Sequence, residues 1–169
     1  MSVDEQRTEL VVKELETAQQ LVAWTVRCWF SGHQEEASAL DIIEKAFRMS
    51  GLSEAVFEVD EACSLITVGA RYSLAIGCPH CPKLFNFERD LINALSHFQN
   101  NEWDRATHIL ERHLDPDEAF MVGPPCFRWA REMLGAHWVI NKVPERVQPL
   151  IIADNVIPFP FGGKQRSVH

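Results

Sequence analysis

Cys78-Pro79-His80-Cys81-Pro82 has two readings, and the choice between them decides the fold. If a helix began at Pro79, Cys78 would cap it and a strand would have to lead in from behind. Pro82 would then occupy the fourth helical position, where its missing N–H and its ring both disturb the first turn. Proline suits the first position of a helix far better. Residues 77–82 are therefore expected to form a tight, non-helical link between two helices, with Pro82 opening the second.

The helical period on both sides of the corner agrees with this expectation. Upstream, Val11, Leu15, Ala18, Val22, Val26 and Trp29 recur three or four residues apart, which predicts one long amphipathic helix over residues 4–31. Gly32 stops it. Leu40, Ile43 and Phe47 predict a second helix ending at Gly51, a residue suited to the left-handed position after a helix. Ser53 is placed to cap a third, on which Val56, Val59, Cys63, Ile66 and Ala70 keep the period.

Downstream, Phe87, Leu91, Leu95 and Phe98 form one stripe, and Asn100-Asn101 break it. Trp103, Ala106, Leu110 and His113 begin another at once, so residues 85–113 read as a helical hairpin. Asp115-Pro116 is expected to end its second arm, and Pro124-Pro125 to start a last helix carrying Phe127, Ala130, Leu134 and His137. Pro144, Pro149, Pro158 and Pro160 interrupt the C-terminal stretch beyond that helix. No stretch alternates with period two. The expected architecture is all-α: a single-domain bundle of five or six helices over residues 1–143, and an extended or partly disordered Pro-rich tail over 144–169.

A 169-residue chain that is 46% hydrophobic can bury a core without disulfides. Its formal charge of −8 repels phosphate backbones and anionic headgroups, so neither nucleic acid nor a membrane is an expected partner. The opening residues lack a basic segment followed by an apolar run, and no later run is long enough to span a bilayer. A cytoplasmic location is the expectation. In such a compartment five cysteines, an odd number, read as thiols or metal ligands rather than a disulfide framework.

Three chemistries compete for the cysteine pair. Zinc is the first, since two thiolates at this spacing make half of a tetrahedral site. Cys78 and Cys81 would be ligands, with completion from His80, Cys28, His33, Cys126 or His97 brought together by the fold. Thiol–disulfide exchange is the second, with Cys78 as nucleophile, Cys81 as resolving thiol and His80 between them. Here Cys-Pro-His-Cys resembles the active-site tetrapeptide of the DsbA-type oxidases, and the similarity extends to Phe87-Glu88. It implies a thioredoxin fold and its strands, whereas the flanking stripes are helical. The third reading is packing, in which Cys78 and Cys81 are small residues in a proline-fixed turn and Cys28 and Cys63 fill the core.

Other residues carry less. His108 and His113 point roughly 140° apart on one helix and do not chelate together, and His113 suits a helix end. Asp60, Glu61, Glu88 and Asp104 read as solvated faces. Trp24, Trp29, Trp103 and Trp129 read as core or interface. No phosphate-binding loop or hydrolase motif is present. The hairpin's Trp-x-x-Ala spacing resembles one tetratricopeptide unit, without tandem copies. The expected role is a binding or regulatory module acting on a protein partner or as a homodimer, with zinc as candidate cofactor at Cys78 and Cys81. A thiol–disulfide oxidoreductase is the alternative.

Overall fold

The computed structural model describes residues 10–32, 38–145 and 156–158. Six α-helices lie among them: α1 (Thr17–Gly32), α2 (Ala39–Met49), α3 (Ala55–Gly69), α4 (Asn86–Gln99), α5 (Trp103–Leu110) and α6 (Pro116–Gly135). Two three-residue strands, β1 (Ala75–Gly77) and β2 (Val156–Pro158), pair antiparallel with Gly77 opposite Val156. The chain is an all-α bundle, as the periodicity predicts. No helix among the described residues is long and apolar enough to cross a membrane.

Helix α4 is the axis of the molecule. Every residue from Phe87 to Gln99 is buried, although its sequence pattern is that of a surface helix with one polar face. Packing against α1, α5 and α6 covers its apolar stripe. The polar face is covered too, because each long polar side chain there meets a partner, as buried polar groups must. Asn93 accepts from the Val143 N–H (2.7 Å) and donates to the Val143 carbonyl (2.9 Å). Gln99 accepts from the Ile140 N–H (2.8 Å) and donates to the Ala130 and Trp138 carbonyls. These two amides hold residues 138–143 along the helix as a neighbouring strand would.

Several helix ends differ from expectation. The helix predicted over 4–31 begins only at Thr17, and of the earlier stretch residues 1–9 lie outside the described residues. Leu10 to Leu15 is instead used as a strap: Leu10 accepts from the Leu84 N–H (3.0 Å) and Val12 donates to the Pro82 carbonyl (2.8 Å). Gln19 explains why α1 starts where it does. Its side chain reaches back to accept the Glu16 N–H (2.8 Å), satisfying a donor that the helix leaves over. Ser53 does not cap α3; the helix starts at Ala55 after Glu54, with no side-chain cap. Gly51 does take the left-handed conformation (φ 74°) that ends α2.

The last helix starts at Pro116, not at Pro124-Pro125. Asp115 precedes Pro116, which takes a first-turn position whose N–H would be unused in any case. The two later prolines then fall inside α6. The carbonyls they leave without donors belong to Phe120 and Met121, both exposed, so water can serve them. Gly123, just before them, packs beside Trp103, where an added Cβ would meet the ring at 3.4 Å, the short end of ordinary contact. Of the tail beyond residue 145, only Val156–Pro158 is described, and it lies against the chain's own β1.

Candidate functional site

The corner is non-helical, as Pro79 and Pro82 require, but it is longer than 77–82. Strand β1 enters it, and α4 begins at Asn86, so Pro82 is an exposed link residue and not the start of the helix. Within it, the Cys81 N–H donates to the Cys78 carbonyl (2.9 Å), closing a turn with Pro79 and His80 at its tip. Proline's fixed φ suits the second position of such a turn. Cys78 is half-buried, Cys81 is buried and His80 is exposed.

Beneath the turn lies Arg27 of α1, 1% exposed. One edge of its guanidinium grips the Glu88 carboxylate in two parallel bonds, Nε to Oε1 (2.6 Å) and Nη2 to Oε2 (2.8 Å). The rest donates to the Cys81 carbonyl (2.6 Å), the Lys83 carbonyl (2.5 Å) and, at 3.5 Å, the Cys78 carbonyl. Glu88 in turn accepts the Gly77 N–H (3.0 Å) and the Phe85 N–H (2.9 Å), the latter serving as the cap of α4. The pair thus collects five backbone groups from residues 77–85. Gly77 is required by closeness, since a Cβ there would lie 2.7 Å from the guanidinium carbon.

Burial by itself would lower the pKa of Arg27. The hydrogen bonds and charge of Glu88 outweigh that and hold it above its usual value, with smaller contributions from Cys81 and Cys78. Glu88, read from the sequence as a solvated carboxylate, is the most deeply placed acid of the site. Its only sequence signal is the arginine 61 residues upstream on an otherwise apolar stripe, which no local pattern connects to it.

A cleft of about 370 Å³ opens beside the corner, walled by Val12, Leu21, Trp24, Pro79 and Trp138, with Arg27 reaching its lining. Trp138 is held there by its indole N–H, which donates to the Ser50 carbonyl (3.0 Å). The volume falls in the range of small ligand or anchor sites.

The other candidate ligands are distributed through the fold. Cys28 is buried on α1, where burial pushes its thiol up to about 11. Cys63 and Cys126 are buried on α3 and α6, and burial raises both, Cys126 to about 12. His97 faces Glu102 in the turn after α4 (Nδ1 to Oε2, 2.5 Å). His33 lies outside the described residues. Among the described residues, no three His, Cys, Asp or Glu side chains converge on a position that could hold a metal ion, so Cys28, Cys126 and His80 do not join Cys78 and Cys81 in such a set. All five cysteines are present as thiols.

A second polar cluster was not legible in the sequence. His113, expected at a helix end, is a buried bridge: Nε2 meets Asp90 Oδ2 (2.8 Å) and Nδ1 meets the Tyr72 hydroxyl (2.6 Å). Asp90 also accepts from Arg89 (3.0 and 2.8 Å) and, more distantly, Arg112 (3.4 Å). Burial raises a carboxyl pKa, but the His113 and Arg89 hydrogen bonds prevail and hold Asp90 below its ordinary 3.8. The folded state therefore binds that proton more weakly than the unfolded chain. The stabilisation is complete above about pH 4 and lost as pH falls through the folded value. Urea midpoints are expected to drop more steeply below pH 4 in the wild type than in Asp90→Asn; parallel curves would refute the linkage.

Comparison with family models, curated proteins and solved structures finds no match for this chain. Fold and site together define an all-α domain with a polar, fully buried central helix and a cysteine corner held from within by an arginine–glutamate pair.

Proposed function

We propose that this chain is a helical binding module that takes an apolar side chain of a partner protein into the cleft beside the Cys78–Cys81 corner. The observation that carries the reading is the cleft itself: two half-buried tryptophans, Trp24 and Trp138, face it with Leu21, Val12 and Pro79. Pre-formed aromatic pockets of this kind suit an anchor from an extended segment. The pocket wall is fixed before any partner arrives, because Pro79 sits on a turn whose backbone Arg27 holds. Less ordering entropy is then lost on binding. The chain's net charge of −8, with Glu14 and Glu16 outnumbering Lys13 among the exposed charges between Val12 and Thr17 on the rim, favours lysine or arginine beside the anchor.

A photo-crosslinking side chain at Leu21, used in cells with the same group at exposed Val68 as control, tests this. A discrete product specific to position 21, lost in Trp24→Ala and carrying basic residues beside the crosslink, is expected. Identical products from both positions, or crosslinks to this chain alone, would refute it.

Zinc on Cys78 and Cys81 is the cofactor this module admits, the two residues being the first and last of one closed turn. Metal analysis of protein purified without chelator decides it. One equivalent that Cys81→Ser loses supports the site, and metal-free wild type removes it.

A further inference from the structure

Five cysteines divide sharply by access. Cys28, Cys63 and Cys126 are enclosed within helices, and Cys81 is 3% exposed, which leaves Cys78 as the cysteine that solvent reaches best. A closed four-residue turn keeps its first and last Cα atoms within about 7 Å. A disulfide needs about 4.4–6.8 Å. The hydrogen bond from the Cys81 N–H to the Cys78 carbonyl (2.9 Å) closes that turn, so the two Cα atoms stand within reach of a disulfide. Arg27 also holds the carbonyls of both cysteines, so the backbone stays in place while the side chains exchange bonds.

We propose that Cys78 and Cys81 form a thiol–disulfide exchange site that takes small disulfides of the glutathione class. The Cys78 thiolate attacks one sulfur of the external disulfide. A Cys78–glutathione bond forms, the external S–S bond breaks, and one glutathione leaves with the electron pair and takes up the proton that Cys78 gave to solvent. Cys81 then loses its proton and attacks the Cys78 sulfur, the Cys78–Cys81 bond forms, and the second glutathione leaves as a thiol. Two protein thiols are oxidised and one external disulfide is reduced to two thiols. Burial fixes the order: a bulky disulfide reaches half-buried Cys78 before Cys81, which is 3% exposed. This site is independent of what occupies the neighbouring cleft, and it acts in the metal-free pair, because a zinc ion on both sulfurs would hold the thiolates that the exchange needs.

The enclosed cysteines provide an internal control. Burial pushes the thiols of Cys28, Cys63 and Cys126 up, which keeps them in the unreactive protonated form, and their helices close them off from an external disulfide.

The full chain, folded and reduced, is incubated with oxidised glutathione and its mass measured intact and after digestion. The wild type is expected to become two hydrogens lighter, with the bond inside the peptide holding Cys78 and Cys81 and no glutathione retained. Cys81→Ser is expected to keep one glutathione, on Cys78. Cys78→Ser is expected to remain unmodified at Cys81. A lasting glutathione adduct on wild-type Cys78, Cys81 reacting as fast when Cys78 is absent, or Cys28, Cys63 and Cys126 reacting ahead of Cys78 would each overturn the proposal. The wild-type measurement alone decides it should either variant fail to fold.

Discussion

Replacing Arg27 with methionine is expected to destabilise the chain by about 3–5 kcal/mol, the usual cost of leaving one member of a buried ion pair behind. A small domain has only about 5–15 kcal/mol in total. The methionine fills the same space, so the loss is electrostatic. Glu88, whose side chain is 0% exposed, would keep a charge with no cation beside it, and the carbonyls of Cys81 and Lys83 would lose their donor. Adding Glu88→Gln to Arg27→Met should recover part of the loss, because a buried amide is cheaper than a buried carboxylate. Urea denaturation of the two single variants and the double variant gives the coupling directly. A cost below about 1 kcal/mol for Arg27→Met would mean that the pair does not organise the corner.

Phe98→Ala is expected to cost a similar amount, about 3–5 kcal/mol, by a different route. Phe98 is fully buried near the end of α4, and its ring meets Trp103 edge-on at 5.0 Å and Phe127 at 6.2 Å. Those contacts join α5 and α6 to the axis. Gly123 sits close by, leaving no side chain there to collapse into the space. The variant should lose stability with little change in the denaturant slope, and Phe98→Leu should lose less. Equal midpoints for wild type and Phe98→Ala would show that the three helices do not depend on that ring.

Helix content was open to the sequence because an apolar stripe every three or four residues needs only local information. Phe87, Leu91, Leu95 and Phe98 mark α4 whatever surrounds it. Helix starts were harder. Pro116 and Pro124-Pro125 are equally good first-turn prolines by local chemistry, and the choice fell to Pro116 because exposed Phe120 and Met121 can leave their carbonyls to water. Residues 10–15 follow the helical period, yet they lie along the corner because Leu10 and Val12 bond to Leu84 and Pro82 there.

The candidate site divides in the same way. The cysteine pair and its prolines are adjacent in the chain, and their non-helical turn followed from proline's missing N–H and fixed φ. Glu88 reads as a solvated face and His113 as a helix end, while Asn93 and Gln99 lie off the apolar stripe of the same helix. Each is buried because a partner from far along the chain arrives to meet it: Arg27 for Glu88, residues 138–143 for the two amides, Asp90 for His113.

From its sequence alone this protein is a helical chain, broken at 77–82, with a sulfur pair at the break, since periodicity and proline sterics act within a few residues. Only the tertiary structure decided that the polar face of α4 turns inward and that an arginine–glutamate pair holds the break in shape. Hydrogen bonds between groups far apart in the chain leave no local pattern, and a side chain's burial depends on what the rest of the chain packs against it.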